Sequence, residues 1–443
     1  MSGEQEAKNQ PAKMSELTDD YSLRQVPESE LQGTSDLTLV RMGFTVSSSD
    51  LLFGFTIGLY FTFWSAIGIA LGYSIIVLTV SLLMGYIGMR ERTSFALTSR
   101  FSFGRTGSKL PSLILAAIIT GFYGYILGIT VDVFPGLNPA TIILYSIILG
   151  AVFLIISGLG FKRGLKWAGR IGVPLMLLLV VVADVLTVAH AGGFGAIVNA
   201  VPKAAGKLAL ASIVGLGVSK WMGGATVTPD LMRFAKGTRT LVVSTIGEFI
   251  VGNFGFNFLG LILGLGLGVA DLGKAFSLIS ISALAVAAIF IQGVTVEMNE
   301  LYAASLATSN MAGVKRFTSN LAVGILGIVI GYIGVSQGIV GSFLTYIGYI
   351  SYALPAIPGI IIADYFVVRR MHYPEGFANL SSINWRAIVA YLLAVAISVY
   401  MGLYLGDVLW HSTPLIGFFL YLLFSIPQIQ KSWSSAAQPA PMR

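Results

Sequence analysis

Long apolar runs separated by short polar loops fill the chain from about residue 38 onward. A helix that crosses a bilayer needs about 20 apolar residues. Against that length the pattern predicts about twelve spans, at roughly 38–65, 66–89, 110–133, 138–160, 171–192, 208–233, 240–268, 274–308, 317–336, 340–368, 384–405 and 411–430. Two spans carry an interruption. In the first, Gly43 to Asp50 reads Gly-Phe-Thr-Val-Ser-Ser-Ser-Asp, a stretch of poor helix formers whose hydroxyls compete for backbone hydrogen bonds. In the sixth, Lys220 and Trp221 are followed by Met222, Gly223, Gly224, Ala225 and Thr226, which predicts a helix unwound around a polar pocket. Interrupted spans at matching places in two halves of a chain point to a transporter binding site, and spans one and six match if the chain is two sets of five spans plus two more. The plainer reading is that these glycines, among 52 in the chain, only let helices pack closely.

Composition supports the membrane reading. The 443 residues are 55% hydrophobic and 11% charged, with a mean hydropathy of +0.83, whereas soluble domains carry about 25% charged residues. There is no cysteine, which excludes disulfides and thiolate metal sites, and His190, His372 and His411 show no metal-ligand spacing. Residues 1–36 read as a disordered cytoplasmic tail and 431–443 as a second, short one. The formal charge of +7 lies in short loops and is no sign of nucleic-acid binding. Basic residues alternate between the loops. Arg90, Arg92, Arg100, Arg105 and Lys109 follow span two; Lys162, Arg163, Lys166 and Arg170 follow span four. Arg233, Lys236 and Arg239 follow span six, Lys315 and Arg316 span eight, Arg369, Arg370 and Arg386 span ten, and Lys431 span twelve. The other loops hold chiefly Lys203, Lys207 and Lys274. This alternation predicts an even number of spans and both termini in the cytoplasm of a cell in whose plasma membrane the chain sits.

Lys220 is the chemical anomaly. A lysine at the centre of a span costs about 2.5–3.5 kcal/mol on insertion scales. It has three readings: a donor to substrate carbonyl oxygens, a partner of Glu297 or Asp50, or a side chain snorkelling to an interface, which its central position disfavours.

Three further segments carry a resemblance. Arg100-Phe101-Ser102-Phe103-Gly104 with Gly107-Ser108-Lys109-Leu110-Pro111 resembles the loop between helices two and three of cytosine permeases. Thr228-Pro229-Asp230-Leu231-Met232-Arg233-Phe234 is similar to the end of their helix six. Ile361-Ile362-Ala363-Asp364-Tyr365-Phe366-Val367-Val368-Arg369-Arg370, then Ile383-Asn384-Trp385-Arg386, resembles their helix ten and the loop after it. The chain therefore resembles the cytosine permease-like branch of nucleobase:cation symporter family 1. The resemblance implies an all-α, LeuT-like fold of two five-helix inverted repeats, 37–192 and 193–370, with two additional helices in 371–430. It implies alternating access, unwinding of helices one and six at the bilayer midplane, and uptake of a nucleobase or related heterocycle coupled to a cation.

It also implies a site. A flat heterocycle is held between rings while polar groups read its edge. The family's two rings fall on Phe122 and Trp221, and the glutamine one turn before the first falls on Ile119. A glutamine of another branch falls on Ile126, so neither amide is present. The serine beside the second ring is Lys220, the first polar residue of helix eight is Gln292, and the family's asparagine is Glu297. Gly223 and Ser47 complete the expected pocket. These departures shift the expected ligand from cytosine towards oxo-rich heterocycles: uracil, an oxopurine, allantoin or a hydantoin. The family's sodium site maps onto the Gly43 and Val46 carbonyls and onto Thr295 and Val296, so one of its two hydroxyls is missing. The coupling ion is then a proton or sodium, with Glu297 or the fixed charge of Lys220 as the other candidates for the coupling role; no other cofactor is expected. Asp230 with Arg233, and Asp364 with Arg369, read as structural or gating pairs, and Glu248 has no assigned role. The competing classes, a membrane-embedded enzyme or a channel, would need a catalytic constellation inside the bilayer or a repeated carbonyl filter, and neither motif is present.

Overall fold

The computed structural model describes residues 21, 24–132, 134, 136–158, 166–203, 209–269, 272–374 and 380–436. Among them nine helices are long and apolar enough to cross a membrane, and a bent pair, Thr34–Thr45 with Ser48–Tyr60, makes ten. Leu210–Met232, which carries Lys220 and Asp230, and Leu415–Ala436 complete the twelve. In chain order, span one is the bent pair, span two Phe63–Glu91, span three Lys109–Asp132, span four Pro139–Gly158, span five Lys166–His190 and span six Leu210–Met232. Span seven is Thr238–Leu267, with a π-helical stretch over Glu248–Gly255. Span eight is Ser282–Ala312, span nine Arg316–Ser336, span ten Ile339–Val368 with a bend at Leu354 and Pro355, span eleven Trp385–Leu405 and span twelve Leu415–Ala436.

The break in span one falls where the hydroxyl run predicts it. Val46 (φ −72°, ψ 76°) and Ser47 (φ −128°, ψ 148°) leave the helical region, and the two halves meet at 53°. Ser47 caps the second half: its Oγ accepts the Asp50 backbone N–H at 3.1 Å, supplying a partner for one orphan donor of the helix start.

Span six differs from expectation. It is one continuous helix from Leu210 to Met232, with no unwinding between Lys220 and Thr226. The physical reason lies in its neighbours. Backbone groups inside a bilayer need partners, and a continuous helix supplies them internally. The glycine pair is used for close approach instead: a methyl at Gly223 would stand 3.0 Å from Ile119, and one at Gly224 would stand 2.7 Å from the indole of Trp221. Glycine costs a helix only about 1 kcal/mol relative to alanine.

Span six packs most extensively on span two, the second half of span one on span seven, and span eight on span three. Spans one and seven meet at backbone distance, since a methyl at Gly58 would lie 2.8 Å from the Leu261 carbonyl oxygen. The N-terminal segment expected to be disordered through residue 36 is ordered from Arg24. Val26 is buried, its N–H bonds the Arg92 carbonyl, and Gln32 bridges to Ala235 because the loop after span six leaves backbone groups there to pair. Likewise the last span continues as helix to Ala436, into the segment read as a tail. Residues 1–20 and 437–443 lie outside the described residues, as do Lys162, Arg163 and Lys207.

A short helix, Phe95–Phe103, ties the loop after span two to spans six, eight and ten. Its first N–H donates to Asp230 at 2.7 Å, Arg100 donates to Asn310, and Ser102 donates to Asp364 at 2.9 Å. Asp364 also pairs with Arg369 at 2.8 Å and accepts from Tyr421 at 2.7 Å. Arg233, expected to pair with Asp230, donates to that residue's backbone carbonyl at 3.1 Å and to the Tyr302 hydroxyl at 2.8 Å.

Candidate functional site

The break in span one and the middle of span six meet at a buried ion pair. The Lys220 ammonium pairs with Asp50, and both side chains are at most 1% exposed. Of the two acidic partners the sequence allows, the geometry selects Asp50 over Glu297, and snorkelling is excluded. Asp50 accepts further hydrogen bonds from Ser47 (2.9 Å), Asn257 (3.0 Å) and Asn253 (3.4 Å), and Ser74 donates to Asn253 at 2.8 Å. The ammonium also lies 5.1 Å from the Phe53 ring centre and 5.8 Å from that of Tyr73. Each contact offsets part of the cost of burying charge in a bilayer.

Beside this pair lies a small cavity lined by aromatic and polar side chains. Phe44, Ser47 and Ser49 come from span one; Ile119, Phe122 and Ile126 from span three; Lys220, Trp221 and Gly224 from span six; Val296 and Glu300 from span eight. Its free volume of about 10 Å³ admits about one water. Trp221 fills the rest. Its ring meets Phe44 edge-on at 5.2 Å and Phe249 at 6.4 Å, and its indole N–H, though buried, has no hydrogen-bond partner. A larger groove of 460 Å³ opens between spans two, ten and twelve, lined by residues such as Ile75, Ile362, Trp410 and Phe418. It holds no charged side chain to read a polar ligand, so its size does not make it the better candidate.

A family of permeases for cytosine/purines, uracil, thiamine and allantoin has a sequence profile that matches residues 32–415. The chain belongs to that permease family. Cytosine permeases of Escherichia coli strains K12 and O157:H7 are each 29% identical to it over 410 residues, covering 91% of this chain and 94% of theirs. Among solved structures, Mhp1, a nucleobase-cation-symport-1 family transporter in a closed conformation with bromovinylhydantoin bound, matches with a TM-score of 0.74 at 17% identity, over 93% of this chain and 94% of that one. A Na+-coupled sialic acid symporter matches at 0.68 and 14% identity, over 95% of each chain. The protein is thus a multi-pass membrane transporter of the nucleobase permease family with a LeuT-like fold, and not an enzyme.

Within this permease the expected residues divide into two groups. Phe122, Trp221, Lys220, Ser47 and Ile119 share the cavity wall, and Gly223 flanks it through Ile119 and Phe122. Gln292 and Glu297 are buried on span eight but do not line the cavity; the helical turn carries Val296 and Glu300 to its surface instead. At the expected sodium position, Gly43 lies in the last turn of the first half of span one and Val46 stands in the break. The Thr295 hydroxyl donates to the Gln292 carbonyl at 2.8 Å, and Val296 turns an apolar group to the cavity. A hard cation prefers several oxygens, and this donor set is sparse for one.

Four residues escape the sequence reading. Arg41 pairs with Glu248, which gives that acid its role; both are at most 2% exposed. Glu300 lines the cavity with Oε2 unpartnered. Asn253 and Asn257 hold Asp50. Arg41 stands inside the first apolar run, so it was visible in the chain as a second intramembrane charge; the asparagines carry no comparable signal.

Proposed function

We propose that this permease imports a flat, oxo-bearing nucleobase or related heterocycle (uracil, an oxopurine, allantoin or a hydantoin) across the plasma membrane by cation-coupled alternating access. Both termini lie in the cytoplasm in this reading, as the alternating basic loops require. Spans one to five (37–192) and six to ten (193–370) form the two inverted repeats, and the segment 371–430 supplies the extra pair. The coupling ion is a proton or sodium.

The observation that carries the reading is the juxtaposition of Phe122 and Trp221 with the Lys220–Asp50 pair at the break in span one. The heterocycle stacks between the two rings once the indole leaves Gly224. Its carbonyl oxygen then competes with Asp50 for the Lys220 ammonium. Asp50 tolerates the exchange because Ser47 and Asn257 still donate to it. Part of the binding free energy is spent on that exchange, which links occupancy to the geometry of the break.

The test is a thermal-shift screen of the purified permease against uracil, cytosine, hypoxanthine, allantoin and hydantoin. A ligand that binds only the folded state raises the melting temperature. At least one oxo-bearing heterocycle should stabilise the parent, and Trp221→Ala should remove that stabilisation and abolish uptake while the protein still reaches the membrane. Stabilisation and uptake unchanged in Trp221→Ala would remove the indole from the site.

A further inference from the structure

Span eight holds two buried carboxylates, one helical turn apart, that lack the cation partners of the Lys220–Asp50 and Arg41–Glu248 pairs. Glu297 and Glu300 stand three residues apart on one continuous helix, so their Cβ atoms lie about 5–6 Å apart. They are 0% and 5% exposed. Both oxygens of Glu297, and Oε2 of Glu300, are buried without a hydrogen-bond partner. Glu300 faces the aromatic cavity; Glu297 lies behind it.

The charged and titratable groups around them are committed elsewhere. Span one brings Arg41, paired with Glu248 of span seven, and Asp50, paired with Lys220 of span six. Span nine brings Arg316, which donates to the Ser157 and Gly158 carbonyls of span four. Span five brings Arg170, paired with Asp36, and Asp184, itself an acid with unpartnered oxygens. Tyr123 of span three and Tyr346 of span ten face the two acids, but their hydroxyls donate to the carbonyls of Gly150 and Ile118. The loop helix brings Arg100, held by Asn310. Lys109, Asp132 and Lys274 are exposed at helix ends. Two like charges this close, with no cation committed to them among the described residues, hold a proton between them while the pocket is closed to water, and can release it only when the pocket opens to water.

Resting on the pocket reading above, we propose that Glu297 and Glu300 form a proton-sharing dyad that holds the coupling proton and presents its ionised oxygen to N–H groups on the edge of the heterocycle. One proton, taken from water on the side to which the pocket is open, sits on one carboxyl. When a ring N–H donates to Glu300, the proton resides on Glu297. When the ring departs, that hydrogen bond is lost and the proton leaves with it to water on the opposite side. Lys220 then reads carbonyl oxygens and Glu300 reads adjacent N–H groups, which together describe an imide or ureido edge. A carboxylate acceptor discriminates strongly, because hydrogen bonds to ionised groups are roughly twice as strong as neutral ones.

The proton itself is the probe. Infrared difference spectroscopy of the full permease in proteoliposomes, titrated in H2O and D2O, should show a carboxylic C=O absorption that persists at neutral pH in the parent and in Asp184→Asn. Glu297→Gln and Glu300→Gln should each shift it, because the partner of the protonated carboxyl changes, and the double variant should lose it. No such absorption in the parent, or an unaltered one in the single and double variants, overturns the proposal. In the thermal-shift assay, 1,3-dimethyluracil should bind at least about tenfold more weakly than uracil; equal stabilisation by both would also overturn it. Trp221→Ala should leave the infrared absorption in place, so the pocket and the dyad fail separately.

Discussion

Two sets of buried charges lie close to one another in this permease and are built on opposite plans. Around the break in span one the charges are matched: Lys220 with Asp50, and Arg41 with Glu248, the first pair held further by Ser47, Asn253 and Asn257. On span eight Glu297 and Glu300 face each other's charge with unpartnered oxygens. A matched pair neutralises the cost of its own burial and fixes the geometry of the helices that carry it. An unmatched pair does neither. It persists in a bilayer only at a cost, which is why intramembrane acids of this kind mark ion and substrate pathways.

The largest effect should come from breaking a matched pair. Glu248→Leu strands the Arg41 guanidinium at a position 2% exposed, and removing one partner of a buried pair costs about 3–5 kcal/mol. Detergent-solubilised protein should melt far earlier than the parent, and adding Arg41→Met should restore most of the loss. A single variant as stable as the parent would mean that this pair does not hold spans one and seven together.

The smallest effect should come from the unmatched acids. Glu297→Gln and Glu300→Gln remove charge that has no cation to lose, so each should melt within about 1 kcal/mol of the parent or above it. Uptake, by contrast, should fall. Melting as poor as that of Glu248→Leu would place these acids in the same structural class as the matched pairs and erase the contrast.

The same contrast explains what could be read from the chain. Span positions follow largely from apolar length, because the bilayer imposes that length on every helix; among the described residues ten of the twelve spans, the bent pair counted as one, are long and apolar enough to cross it. The break at Val46 and Ser47 was legible because consecutive hydroxyl residues favour a cap over a continuing helix. Lys220 stood out because a lone lysine at mid-span has few benign explanations. The continuity of span six was not legible. A glycine pair permits either unwinding or close packing, and only the positions of Ile119 and the Trp221 indole, from a distant span and from the preceding turn, decide for packing. Nor was Glu300: which of Glu297 and Glu300 faces the cavity depends on the rotation of span eight, set by its contact with span three. Partner choice for Lys220 was open for the same reason, since Asp50 and Glu297 are equally plausible until the spans are placed.

The central claim is that a planar heterocycle lodges against Phe122 and Trp221 and draws Lys220 away from Asp50. A structure of the permease with its stabilising heterocycle bound tests this most directly. The account predicts the ring stacked on the Trp221 indole, off its seat on Gly224, with the Lys220 ammonium on a ring carbonyl oxygen. A ring bound elsewhere, or bound here with the Lys220–Asp50 pair and the indole unmoved, would contradict it.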